Sequence, residues 1–341
     1  MTAKTNVLRR EVATVIDGFL DGWYRLDESN AFNNFDRHFP GFLYQPMELE
    51  RPVQHPMVYL NSVREKVIRE FKELRWTNIE CDVFGDFLWA YVDLLRHTVG
   101  HDGTEIRGAY RASFFMTRTG THWKVIHYHE SAQPDMLPPR VPAGDEPPAH
   151  KKDEVPSDDT LAAEARAAKI RNQPHTGEAQ TLVASMLETF IFGWEARDIE
   201  MAYSWWDRDY DNQIYLPLEV ASPARAWRDI ERYRLWQAED RSVTGTRWDW
   251  KVPLVPEDSQ VQVLSDDLVL VYSNLHARGL QLQEPEPDES DMPYFTYRVS
   301  WLLRRRGSKW KIIHYHESRP TSGPAEVLAL GLHPSGAPGN T

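Results

Sequence analysis

Cysteine is almost absent. Cys81 is the only one in 341 residues, which excludes an internal disulfide and a zinc site built on several thiolates of one chain. It is expected to be an ordinary structural thiol. Long apolar runs are missing too, since none approaches the roughly 20 residues a membrane-spanning helix needs. Cations are in the minority, with 39 Lys and Arg against 51 Asp and Glu and a net charge of -12. That balance argues against a nucleic-acid or membrane partner, and the short basic run Arg304, Arg305, Arg306 reads as a solvated turn. The stretch MTAKTNVLRREVATV carries charges inside what would have to be the apolar segment of a secretion signal, so a cytoplasmic location is expected.

What the chain does have is aromatic residues, with 13 Trp, 14 Tyr and 13 Phe. Many belong in cores, but such a supply also suits pockets for flat apolar ligands. It also has a repeat. YRASFFMTRTGTHWKVIHYHES from Tyr110 aligns without a gap on YRVSWLLRRRGSKWKIIHYHES from Tyr297. FDRHFPGFLYQPMEL from Phe35 aligns on WDRDYDNQIYLPLEV from Trp206, pairing Asp36 with Asp207, Tyr44 with Tyr215, Pro46 with Pro217 and Glu48 with Glu219. Gly22 and Trp23 fall on Gly193 and Trp194. The offset rises from 171 to 187, so the second copy carries about sixteen extra residues, expected around VPLVPEDSQ and QEPEPDESDMP.

The organisation expected is a first domain over 6–134, a linker rich in proline and charge over 135–176, a second domain over 177–320 and a tail over 321–341. Helical spacing marks VATVIDGFLDGWYRL and LVASMLETFIFGWEA, and a shorter helix is expected through Phe32 to Phe39 or Tyr203 to Tyr210. A brief strand follows at Tyr44 or Tyr215, then a third helix in VYLNSVREKVIREFKEL or ARAWRDIERYRLWQAED, then only strands. Helices followed by a meander of strands give the α+β class, with helices on one face of an antiparallel sheet.

His127 and His129 alternate along one strand and so share a face, with Trp123 and Val125 in phase with them. If Trp123 packs on the helices, the histidines face a pocket, as His314 and His316 do in the second copy. They then read either as inert hydrogen-bonded residues or as a general acid or base. A His-x-His pair with Asp93 could also suggest a metal site.

The WKVIHYHES strand and the arginine segment before it resemble the end of the association domain of calcium/calmodulin-dependent protein kinase II and, more broadly, the SnoaL-like domains of the nuclear-transport-factor-2-like superfamily. The helical Gly-Trp and the Tyr-x-Pro-x-Glu segment sit where that superfamily has its first helix and first strand. The resemblance implies two cone-shaped domains, each a bent sheet wrapped around helices with a pocket at its open end, able to form a pseudo-dimer within one chain. It also leaves room for a homo-oligomer.

The same resemblance argues against a metal, because the similar histidines of the association domain hold none, so no metal and no cofactor are expected. It aligns Arg111 and Arg298 with a pocket arginine that binds a carboxylate. Asp93 is the internal partner for Arg111, whereas the second copy has Asn274 there, so the two pockets are expected to differ. An isomerase mechanism of the ketosteroid type is not supported, because Gln45 and Leu216 stand where its aspartate base would precede a proline, and Phe19 and Phe190 lie near its tyrosine.

These readings lead to a cofactor-independent acid-base enzyme with Asp93, Arg111, His127, His129 and Tyr44 as its catalytic set. Trp23, Glu48, Tyr215, Asn274, Arg298, His314 and His316 are expected to bind substrate, although Glu48 and Glu219 also read as surface partners of Arg37 and Arg208. The partner expected is a small apolar or aromatic substrate. Resemblance at superfamily level suggests a lyase that acts on phenolic, lignin-derived dimers and releases formaldehyde. The alternatives are a non-catalytic ligand-binding or assembly module, or an isomerase, dehydratase or cyclase.

Overall fold

The computed structural model describes residues 3–47, 52–53, 55–132, 176–195, 198–217, 223–232, 259–278 and 294–318. Glu48, Glu219, the tail, QEPEPDESDMP, most of VPLVPEDSQ and all of the expected linker except Thr176 lie outside them. The chain divides into two compact units, each carrying one repeat. No helix among the described residues is long and apolar enough to cross a membrane.

In the first unit, helix α1 (Ala3–Tyr24) is followed by α2 (Glu28–Ala31), strand β1 (Leu43–Gln45) and α3 (Pro56–Lys66). Four long strands complete it: β2 (Ile68–Phe84), β3 (Phe87–Gly100), β4 (Glu105–Thr119) and β5 (His122–Ala132). The sheet order is β1-β5-β4-β3-β2. β1 runs parallel to β5, and the remaining pairs are antiparallel, so the sheet is mixed.

Val12, Val15, Ile16, Phe19, Leu20 and Trp23 form one buried stripe of α1 at helical spacing. The stripe shares one core with Ala90, Val92 and Leu94 of β3 and with Tyr110, Ala112 and Phe114 of β4, and the Phe19 ring meets the Phe114 ring edge-on at 5.6 Å. Two indoles tie the helix to the sheet, Trp76 Nε1 donating to Asp17 at 2.7 Å and Trp123 Nε1 to Glu11 at 3.1 Å. The end of α1 lies so close to α2 that a Cβ on Gly22 would stand 2.1 Å from the Ala31 nitrogen. The equivalent approach in the second unit is 2.3 Å, from Gly193 to the Ala202 nitrogen, which explains the glycine in both copies.

Three expectations need correction. The short helix lies before Phe32, where the Asp27 side chain caps it by accepting from the Ser29 and Asn30 nitrogens. The third helix stops at Lys66, and IREFKEL is the start of β2, because β-branched Val67 and Ile68 favour the extended chain. The basic run is also more than a solvated turn. Asp207, only 2% exposed, accepts from Arg304 Nε and from Arg306, each at 2.8 Å. Burial alone would raise the Asp207 carboxyl, but the two guanidinium groups outweigh it and hold its pKa below the usual value.

The second unit contains α4 (Thr176–Glu195), α5 (Ile199–Ala202), β6 (Ile214–Leu216), β7 (Ser259–Ser265), β8 (Leu268–Arg278), β9 (Tyr294–Arg306) and β10 (Lys309–Ser318). Its order, β6-β10-β9-β8-β7, repeats the first sheet, with β6 parallel to β10. Val183, Met186, Leu187 and Phe190 form the buried stripe of α4 at the positions of Val12, Val15, Ile16 and Phe19. Cys81, half-buried on β2, has its thiol pushed up to about 11 by burial and by Asp82, so it stays protonated and unreactive.

Candidate functional site

Trp123 and Val125 do pack into the helix-facing core, as expected. The histidines do not follow them. Phe115 pairs with His127 while the next residue, Met116, pairs with Val125, so Ile126 is an extra residue in β5. Such a bulge inverts the alternation of the strand beyond it. Tyr128 and Ala132 therefore join the helix-facing core, and His127, His129 and Ser131 alternate onto the opposite face. In the second unit Ile312 and Tyr315 both lie in the core. Their odd spacing marks the same inversion, which turns His314 and His316 away from the helices.

Arg111 and Asp93 also belong to that opposite face. They are paired in register, between core residues Tyr110 and Ala112 on β4 and between Val92 and Leu94 on β3. Asp93 accepts from the Tyr91 hydroxyl at 2.5 Å and from Asn78 at 3.2 Å. Burial, then the Asp93 charge, push the Tyr91 phenol far up, so it acts as a donor only. Arg111, fully buried, donates to Ser131 Oγ at 3.2 Å and to the Ala132 carbonyl at 3.1 Å. His127 is fully buried with its pKa held down to about 3 by desolvation, so its imidazole is neutral near pH 7.

The second unit repeats the pattern. Asn274 accepts from the Tyr272 hydroxyl at 2.8 Å, and Arg298, His314 and His316 are fully buried. The Asp93 to Asn274 difference thus falls on the face away from the helices. Arg208 pairs with Glu200 at 2.8 Å. Among the described residues, no cluster of three or more His, Cys, Asp or Glu is arranged to hold a metal ion.

On the helix side of the first sheet lies a cavity of about 60 Å³, bounded by α1, α3, β1 and the sheet. At roughly 10–15 Å³ for each water, it has room for a handful of waters. Phe19, Trp23, Tyr44, Tyr59, Phe71 and Tyr128 supply aromatic walls. Of the residues expected from the sequence, Trp23 and Tyr44 are here. Tyr44 stacks on Tyr128 with centroids 4.8 Å apart.

The polar end of the cavity was not anticipated. It consists of Arg96 and Glu130, with side chains 15% and 9% exposed and their nearest charged atoms 3.9 Å apart. The Arg96 guanidinium also lies over the Tyr110 ring, 4.1 Å from its centroid. Glu130 recurs in the repeat as Glu317, which was the available signal for it. By the register of β3 and β8, which sets Asp93 and Asn274 against Arg111 and Arg298, the position of Arg96 is Ala277 in the second copy.

A mixed sheet that holds helices and a small cavity against one face defines a cone-shaped α+β domain. A SnoaL-like domain model matches residues 61–136 and again 222–322, together about half of the chain. The chain belongs to the SnoaL-like domain family.

Solved structures with similar folds include a nuclear transport factor 2-like superfamily protein from Salmonella enterica serovar Typhimurium. It is 18% identical over 42% of this chain and 99% of its own, with a TM-score of 0.34. Another is the calcium/calmodulin-dependent kinase II association domain of Caenorhabditis elegans, 14% identical over 38% of this chain and all of its own, with a TM-score of 0.31. No protein of curated function matches the chain.

Proposed function

We propose that the chain is a cofactor-independent enzyme that performs acid-base chemistry on a small aromatic molecule in the cavity of the first unit, and that the reaction is of the lyase type. One observation carries the reading: a carboxylate and a guanidinium, Glu130 and Arg96, meet at the end of a cavity walled by aromatic rings. A buried carboxylate is a proton carrier, and a cation beside it stabilises an oxyanion as it forms.

For a substrate with a hydroxymethyl group, Glu130 takes the hydroxyl proton while Arg96 holds the oxygen. The carbon-carbon bond then breaks as the carbonyl of formaldehyde forms. The electron pair left on the ring-bearing carbon takes a proton back from Glu130, so the step needs no oxidant or metal.

The position of Arg96 holds Ala277 in the second unit, and the loss of the cation favours the non-catalytic reading for that copy.

The test is formaldehyde release from aromatic compounds bearing hydroxymethyl groups. Glu130→Gln should lower it about 100-fold or more, while His129→Ala and Arg111→Ala, on the other face, should act on stability. Full turnover by folded Glu130→Gln protein would remove this assignment. Binding of such compounds with no turnover would leave a ligand-binding module.

A further inference from the structure

We infer that the cavity of the first unit is a site for ordered water, and that the indole N–H of Trp23 anchors the water cluster in it. The inference concerns what fills the cavity and does not depend on turnover.

It starts from an unmatched donor. Trp23, near the end of α1, is only 8% exposed and lines the cavity. Its Nε1 is buried and has no acceptor among the described residues. A tryptophan taken inside a protein usually keeps a partner for its N–H, because a buried donor left alone loses the hydrogen bond that solvent gave it. The neighbouring rings do not replace that bond. Phe32 and Phe71 meet Trp23 edge to face with centroids 6.5 and 6.3 Å away, and an N–H on a π face is a weak substitute for an oxygen acceptor.

Water supplies the acceptor where a cavity has both room and polar company. The volume of about 60 Å³ is several times the ~10–15 Å³ that one water needs. Tyr44, Tyr59, Tyr128, Arg96 and Glu130 line the same space and bring hydroxyl, guanidinium and carboxylate groups to it, so it lacks the wholly apolar wall of a cavity that stays dry. A ligand that enters has to displace this water. It loses affinity unless it carries an oxygen that takes over the Trp23 hydrogen bond, which makes Trp23 a determinant of what the site accepts.

The test is nuclear magnetic resonance of the full chain with nitrogen-15 in its tryptophans. The indole signal that vanishes in Trp23→Phe identifies Trp23. In wild-type protein that proton should show a rotating-frame cross-peak to water, opposite in sign to a peak from proton exchange. Xenon, which enters dry apolar cavities, should leave the signal unshifted. A crystal structure of the wild-type chain checks the same point without any variant, and should show a water oxygen within about 3.2 Å of Trp23 Nε1.

A Trp23 indole proton with no water cross-peak, or with a peak from exchange alone, would overturn the inference. So would a shift under xenon, or electron density that leaves the cavity empty. An indole proton moved upfield by a ring beneath it, with no contact to water, would give the donor to a π face instead. Absence of formaldehyde release from every substrate would sink the enzymatic reading and leave this one standing.

Discussion

Tyr44 lies flat on Tyr128, with ring centroids 4.8 Å apart and planes 13° from parallel; Tyr215 and Tyr315 repeat the relationship at 5.2 Å and 27°. The stack fastens the first strand of each unit to its last. Tyr128→Ala should cost about 3–5 kcal/mol in urea unfolding. Tyr128→Leu keeps most of the apolar volume and should cost less, including the ~0.5–1.5 kcal/mol of ring pairing. A Leu variant as stable as wild type would show that the stack contributes nothing beyond its area.

His127 predicts an acid sensitivity. Its folded pKa is near 3 against 6.5 for the free group, so below pH 6.5 the unfolded chain takes up a proton that the folded chain refuses. Stability from this residue is therefore fully present above about pH 6.5 and falls as pH drops toward 3. The slope is ~1.4 kcal/mol per pH unit. Unfolding free energies measured between pH 7 and 4.5 should fall less steeply for His127→Gln than for wild type, and parallel curves would refute the assignment.

The glycines give a contrast. Gly22→Ala sets a Cβ against the Ala31 backbone, which cannot yield without separating α1 from α2. Gly85→Ala meets nothing within 4 Å and bears only the left-handed φ of +60°, at about 1–2 kcal/mol. Thermal unfolding should rank Gly22→Ala and Gly193→Ala far below Gly85→Ala.

One surface difference between the copies is also testable. In the first unit Asn30 donates to Asp21 at 3.0 Å, and the matching positions of the second are Met201 and Phe192, 42% and 59% exposed. The double change Phe192→Asp with Met201→Asn should keep stability within about 1 kcal/mol, as surface substitutions do. It should also lower self-association in light scattering. A large loss of melting temperature would mean that Phe192 and Met201 hold the second unit together.

The duplication and the helix-facing stripe of α1 were legible because Val12 through Trp23 keep their period and the final strand recurs almost unchanged. The site was not. Alternation along β5 reads as unbroken from Trp123 to His129, and nothing in Val125-Ile126-His127 announces an extra residue, yet that residue decides which side chains enter the cavity. With unbroken alternation Glu130 would face away from the helices, and on β3 Arg96 lies three residues beyond Asp93 and on the other face. The end of the third helix was hidden for a similar reason: Leu60, Val63, Val67, Phe71 and Leu74 keep helical spacing across the point where the chain extends.

The parallel pairing of β1 with β5 joins residues roughly eighty positions apart, Leu43 with His127 and Tyr44 with Tyr128. The three antiparallel strand pairs between β2 and β5 close through short turns and need no such distant partner. Contacts that span long stretches of chain form late, because the loop between them must be ordered first. During synthesis the meander can begin to assemble as it leaves the ribosome, but β1 has no edge to join until His127 to His129 have emerged. Tyr44 is thus set in place last. The cavity it helps to wall comes into being only when the last strand of the repeat is complete, and a nascent chain halted before that strand has a sheet in progress but no cavity.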